Sequence, residues 1–198
     1  MSDHDLKLLV IGSQGVGKSS LVLKYCDDVF GSRLTQATIG VDLKTKRLKI
    51  AGLERYRAIS SAYYRDIQGI LIVYDVCNRE TFEDLEYWIR ESTDQCERNI
   101  ETPIRFVLGN KIDKNNERQV EASEAMAFLD QLGNENGGDI VDGYFEVTAT
   151  NKTEVKSIVH KLVTTILQTK KLNKRIDSGT VNLSQSSREN LPEGGCFC

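Results

Sequence analysis

Residues 12–19, Gly12-Ser13-Gln14-Gly15-Val16-Gly17-Lys18-Ser19, form a glycine-rich octet ending in a lysine and a hydroxyl. Glycines at this spacing let backbone N–H groups close round phosphate oxygens with no Cβ in the way, at the positive end of a helix. Lys18 would bring a point charge to the β- and γ-phosphates of a nucleotide, and the Ser19 hydroxyl would ligand Mg²⁺. Ser13, Gly15, Val16, Gly17 and Ser20 complete the candidate cradle. A second cluster, Asn110-Lys111-Ile112-Asp113, supplies a carboxylate able to accept from both the ring N–H and the exocyclic amino group of guanine, a pattern adenine does not offer. In this order the two motifs select GTP and GDP over ATP, and residues 110–113 speak against a P-loop ATPase or kinase.

These groups need a scaffold, and the apolar pattern describes one. Residues 6–11 are a near-continuous apolar run ending at Gly12; 70–74 and 104–108 repeat that pattern and 144–147 fit it, as buried parallel strands do. Between them lie helical spacings: Phe82, Leu85, Trp88 and Ile89; Ala122, Ala125, Met126, Leu129 and Leu132; Val155, Ile158, Val159, Leu162, Val163, Ile166 and Leu167. Alternating strand and helix predict an α/β domain with a mainly parallel sheet and helices on both faces. The octet then follows a strand and opens a helix, and Asp113 falls at the carboxyl edge of the sheet, where such folds bind ligands. Trp88 and Met126 read as core residues and nothing more. Residues 133–143, with four glycines and three acids, read as a flexible surface insertion in a domain spanning 1–169. From about residue 170 the apolar period stops, which predicts a disordered tail over 170–198.

Composition narrows the function. A chain of 198 residues holds one domain, and a net charge of −3 with pI near 5.5 lacks the footprint of a nucleic-acid binder. Five cysteines, an odd number, argue against a disulfide framework, and the cysteines with His4 and His160 match no zinc spacing. His160 reads as a solvated helix residue rather than a catalytic base. The start shows no basic and apolar leader, and no apolar run approaches the ~18 residues of a spanning helix, so the expected compartment is the cytosol.

The chain resembles the Rab family of small GTPases, within the Ras superfamily, from Lys7 to about Gln168 and again at its end. The resemblance rests on residues 12–20, on Ala37-Thr38-Ile39-Gly40-Val41-Asp42, on Ala51-Gly52-Leu53-Glu54-Arg55, on Tyr63-Tyr64-Arg65, on 110–113 and on Cys196-Phe197-Cys198. It implies the P-loop small GTPase fold and a monomeric GTP/GDP switch with Mg²⁺ that acts in vesicle traffic. Its implied partners are exchange factors, GAPs, GDI and escort proteins and effectors, with no nucleic acid among them. By resemblance Thr38 meets Mg²⁺ and the γ-phosphate in the GTP state, and Gly52 senses the same phosphate. Glu146-Val147-Thr148-Ala149-Thr150 resembles the family's guanine loop, with the Ala149 N–H reaching the base oxygen and Thr150 where the family has lysine. Cys196 and Cys198 resemble a Cys-x-Cys double prenylation signal, placing the protein on the cytosolic face of an intracellular membrane and cycling with the cytosol.

The pattern breaks between Thr38 and Gly52, where 13 residues stand, roughly half what the family spends on two strands and their turn. A shortened hairpin over 41–44 and 47–50, turning at Thr45-Lys46, is what fits. Lys49 replaces the family's aspartate that steadies the Mg²⁺ shell, so a cation is expected to oppose the metal. Leu53 replaces the water-orienting glutamine, and an alkyl chain orients no water. The effector-facing aromatic triad falls on Leu43, Leu48 and Tyr63, one aromatic for three. These departures leave an alternative: a pseudo-GTPase interaction module with little or no hydrolysis.

Overall fold

The computed structural model describes residues 6–26, 39–42, 47–52, 61–96 and 101–183, with backbone alone for 39–42, 47–52, 61–62 and 171–183. The apolar runs form strands β1 (Leu6–Ile11), β4 (Gly69–Asp75), β5 (Ile104–Asn110) and β6 (Gly143–Val147), and a hairpin supplies β2 (Ile39–Asp42) and β3 (Arg47–Gly52). They make one sheet in the order β2-β3-β1-β4-β5-β6. Every pairing is parallel except β2 with β3. Helices α1 (Lys18–Cys26), α2 (Ser61–Tyr64), α3 (Arg79–Glu83), α4 (Leu85–Cys96), α5 (Ala122–Glu135) and α6 (Lys152–Leu183) fill the connections.

Strand alternation divides the core in two. Leu6, Leu8, Val10, Leu71, Val73, Phe106 and Leu108 face α1 and α6 through Leu21, Tyr25, Val155, Val159 and Leu162. Their neighbours Leu9, Ile11, Ile70, Ile72, Tyr74 and Val107 face the other helices through Phe82, Leu85, Trp88, Ile89, Ala125 and Leu129. Both faces are covered, as the uninterrupted strand patterns require. The chain therefore leaves β1 and β5 at the same edge, which is where both motifs begin.

Four details differ from the sequence expectation. Met126 is 48% exposed. The buried line of α5 is Ala125, Leu129 and Leu132 with Phe128 beside it, and one residue of α-helix turns Met126 about 100° away from Ala125. Phe128 takes the expected role, its ring 5.3 Å from that of Phe82. Helix α5 also absorbs the first three residues of the glycine-rich stretch and closes at Asn136, whose side chain donates to Leu132 O at 2.6 Å, with Gly137 at φ +78° beyond it. The connecting loop is thus 136–142, and it is tied down: Asp142 N–H donates to Arg105 O and its carboxylate accepts from Arg105 N–H, both at 2.7 Å.

Helix α6 runs to Leu183, well past residue 170. Loss of the apolar period marks where packing ends, whereas each further residue of a formed helix still gains one backbone hydrogen bond, and no proline interrupts 152–183. The shortened hairpin is present, paired Val41 with Leu48 and Asp42 with Arg47. The expected register puts residue 44 opposite 47, whereas Asp42 stands opposite Arg47, a shift of two residues. The resulting register shift is even, so the strand alternation stays in phase.

Candidate functional site

The loop of 12–17 passes from β1 into α1, whose first backbone bond runs from Leu21 N–H to Gly17 O at 3.0 Å. The first turn of α1 contains no acidic residue, so its N–H groups meet no competing carboxylate from their own helix. Lys18 is only 3% exposed; its ammonium donates to Gly12 O (3.0 Å) and Ser13 O (2.7 Å). Two loop carbonyls thus hold the charge at the loop itself. Ser19 is half-buried and Ser20 exposed in the turn that follows.

Asn110 joins this loop to the second half of the site. It is 1% exposed; its amide donates to Val16 O at 2.7 Å and accepts from Ala149 N–H at 3.3 Å. Gly17 sits against it so closely that a Cβ would lie 2.3 Å from Asn110 Nδ2. The Ala149 N–H, expected to reach a base oxygen, is on Asn110 here, through a long bond that a stronger acceptor could take over. Asp113 lies in the 3₁₀ turn (Ile112–Glu117) after β5, and its Oδ1 accepts from the Thr148 hydroxyl at 2.5 Å. Since that hydroxyl has one proton, it must accept from Thr150 Oγ1, 2.8 Å away, and it also accepts from Thr150 N–H at 3.1 Å.

Lys111 adopts φ +73°, a left-handed conformation uncommon outside glycine and enriched at functional sites. Its ammonium lies 2.6 Å from Asp75 Oδ2, and Asp75 Oδ1 accepts from Cys77 N–H at 3.0 Å. Below the 148–150 loop, Arg118 forks onto Glu146 with bonds of 2.8 and 3.0 Å. Tyr144 OH donates to Glu146 (3.1 Å) and lies 2.9 Å from Tyr74 OH. The Arg118 hydrogen bonds hold the Glu146 carboxyl below the usual carboxylate value, and burial pushes the Tyr74 hydroxyl up to about 12.

Three contributors carried no sequence signal. Asp75 lies just past the apolar run 70–74, and Asp84 falls between the apolar helical positions Phe82 and Leu85, so neither is marked by the pattern. Trp88 is 5% exposed and packs in the core as expected, but its indole N–H also donates to Ser13 Oγ at 3.1 Å, and Ser13 Oγ donates to Asp84 Oδ2 at 2.6 Å. Spacing along a helix shows which face is buried, and cannot show which atom of a buried ring meets a loop 75 residues away.

Thr38, Leu43, Leu53, Cys196 and Cys198 lie outside the described residues. Tyr63 is 41% exposed. Gly52 closes β3 beside Val10, at the edge from which the phosphate loop departs. Lys49 pairs with Lys7, five residues before Gly12 and about 16 Å down the strand from the loop. Among the described residues no group of three or more His, Cys, Asp or Glu could hold a metal ion, and Cys26, Cys77 and Cys96 form no disulfide. No described helix is long and apolar enough to cross a membrane.

A glycine-rich loop between strand and helix, tied by Asn110 to the 148–150 loop with Asp113 held beside it by Thr148, defines a P-loop domain. Comparison with known proteins carries this further. The Ras family model matches residues 7–168. The chain is 37% identical to Ras-related protein Rab-18-B of Danio rerio, over 98% of this chain and 95% of that protein. It is 36% identical to Ras-related protein Rab-3 of Caenorhabditis elegans (81% and 74%) and 37% identical to Ras-related protein RABC1 of Arabidopsis thaliana (89% and 84%). The chain belongs to the Ras family, as a small GTPase of the Rab type.

Proposed function

We propose that this chain is a guanine-nucleotide switch in vesicle traffic that binds GTP and GDP and hydrolyses GTP slowly. The observation that carries the reading is the Asn110 strut: one buried amide spans Val16 of the phosphate loop and Ala149 of the base loop, beside an Asp113 carboxylate pinned by Thr148. That arrangement supports phosphate and base recognition by a single ligand. Lys18 faces the phosphates, and Lys111 and Thr150 flank the base. The hard hydroxyl oxygen of Ser19 suits Mg²⁺, which binds few protein ligands and keeps water and substrate phosphates; Thr38 is its second protein ligand by resemblance. When bound, the metal neutralises charge that develops on the phosphates. Exchange factors, GAPs, GDI, escort proteins and effectors are the partners in this reading, and prenyl groups on Cys196 and Cys198 anchor the protein to the cytosolic face of an intracellular membrane. Two chains are needed because one lipid of moderate length holds only reversibly.

A second reading, an interaction module that turns over nothing, is favoured by Leu53 in the water-orienting position and by the absence of a carboxylate at position 49. Losing such groups costs rate more than affinity, because they act mainly in the transition state. Single-turnover hydrolysis of preloaded GTP separates the readings. We expect a rate at least ~10-fold below an ordinary Rab, ~1.4 kcal/mol of barrier, with little recovery in Leu53→Gln. No hydrolysis above the rate in buffer would favour the module, and an ordinary rate would contradict the assigned defect.

A further inference from the structure

The Ser13 side chain is engaged on both sides. Its hydroxyl gives its only proton to Asp84 Oδ2 at 2.6 Å and receives one from the Trp88 indole at 3.1 Å. Asp84 caps α3, where its N–H donates to Glu80 O, and Trp88 belongs to α4, so both partners stand on helices seated on the sheet. The Ser13 carbonyl, on the same residue, is the shorter of the two bonds that hold the Lys18 ammonium. The glycine-flanked loop, which Asn110 holds at Val16, is thus also fixed at Ser13, and Ser13 carries one of the two acceptors for the lysine.

We propose that Ser13 is a positioning residue for Lys18: Asp84 and Trp88 fix the loop backbone at Ser13, and its carbonyl then sets where the ammonium waits for the β-phosphate. The proposal rests on the guanine-nucleotide reading and deepens it. An ammonium on a four-carbon stem has many rotamers, and fixing it before the ligand arrives reduces what binding must order. The charge-assisted Ser13–Asp84 bond is the stronger of the two ties. Trp88 contributes through one N–H.

The test compares GDP with GMP, which lacks the β-phosphate, in the unmodified chain and in Ser13→Ala. Titration calorimetry should show GDP affinity falling about tenfold and GMP affinity changing less than twofold. Trp88→Phe, which keeps an aromatic ring and loses the N–H, should shift the GDP/GMP ratio in the same direction, about threefold. In a Lys18→Ala background the Ser13 substitution should have no further effect on GDP. Equal losses for GDP and GMP would show that the clamp merely holds the loop together and would overturn the proposal, as would an unchanged ratio or an undiminished Ser13 effect without Lys18. If Lys18→Ala does not fold, the ratio in Ser13→Ala and Trp88→Phe decides alone. Failure of the unmodified chain to bind GDP would remove the guanine reading itself, and the positioning role with it.

Discussion

In the proposed reading one carboxylate, that of Asp113, recognises the base while the Thr148 hydroxyl fixes it. The Thr148 hydroxyl occupies one face of Oδ1, leaving the remaining lone pairs for two N–H donors of a base. Asp113→Asn should weaken GDP binding by several kcal/mol, because a charge-assisted pair is lost and a donor now faces a donor. Thr148→Val, which leaves the carboxylate charged and only unpins it, should cost about 1 kcal/mol. Calorimetry with GDP ranks the two; a larger loss for Thr148→Val would show that the hydroxyl, and not the carboxylate, reads the base. Lys18, Asn110 and Asp113 were legible as candidates because residue type and spacing point to their chemistry. Asp75, Asp84 and Trp88 were not, because their part depends on which distant backbone they touch.

Among elements, the strand-to-helix joint at Gly17 leaves no room for a side chain. Its φ of +96° disfavours any side chain, and a Cβ would collide with Asn110 Nδ2 at 2.3 Å, breaking the strut between the two loops. Gly137 is a natural control, with φ +78° and nothing within 4 Å of its virtual Cβ. Both alanine variants should lose about 1–3 kcal/mol from backbone strain, read by denaturant unfolding. Only Gly17→Ala should also lower GDP affinity more than tenfold. Comparable affinity losses in the two would mean that strain, and not the Asn110 contact, matters. The parallel strands were readable in the sequence because burial on both faces leaves unbroken apolar runs. The end of α6 was hidden because polar residues continue a helix as well as they leave one, and the hairpin register because its turn has no glycine, asparagine or aspartate to mark it.

At the scale of the molecule, the sheet gathers at one edge what the sequence spreads from Gly12 to Thr150. The Tyr74, Tyr144, Glu146 and Arg118 chain ties β4, β6 and the 3₁₀ turn after β5 together. Because Arg118 holds the folded-state pKa of Glu146 below its ordinary 4.5, this pair stabilises the fold above that value, and the contribution is lost as pH falls through the lowered folded pKa. Glu146→Gln should therefore unfold more easily at pH 7, by about 2 kcal/mol, and the gap should begin to close below about pH 4.5 and vanish once the pH is below the lowered folded pKa. A gap that persists unchanged into acid would assign the effect to packing rather than charge.

The central claim is that Asp113, Asn110 and the 12–19 loop form one site for a guanine nucleotide. Titration calorimetry of the unmodified, nucleotide-stripped chain with GDP and with ADP tests it most directly, since the two ligands share their phosphates and differ at the base edge. The account predicts tight GDP binding and ADP binding weaker by at least a hundredfold, about 2.7 kcal/mol. Equal affinity for both would contradict it.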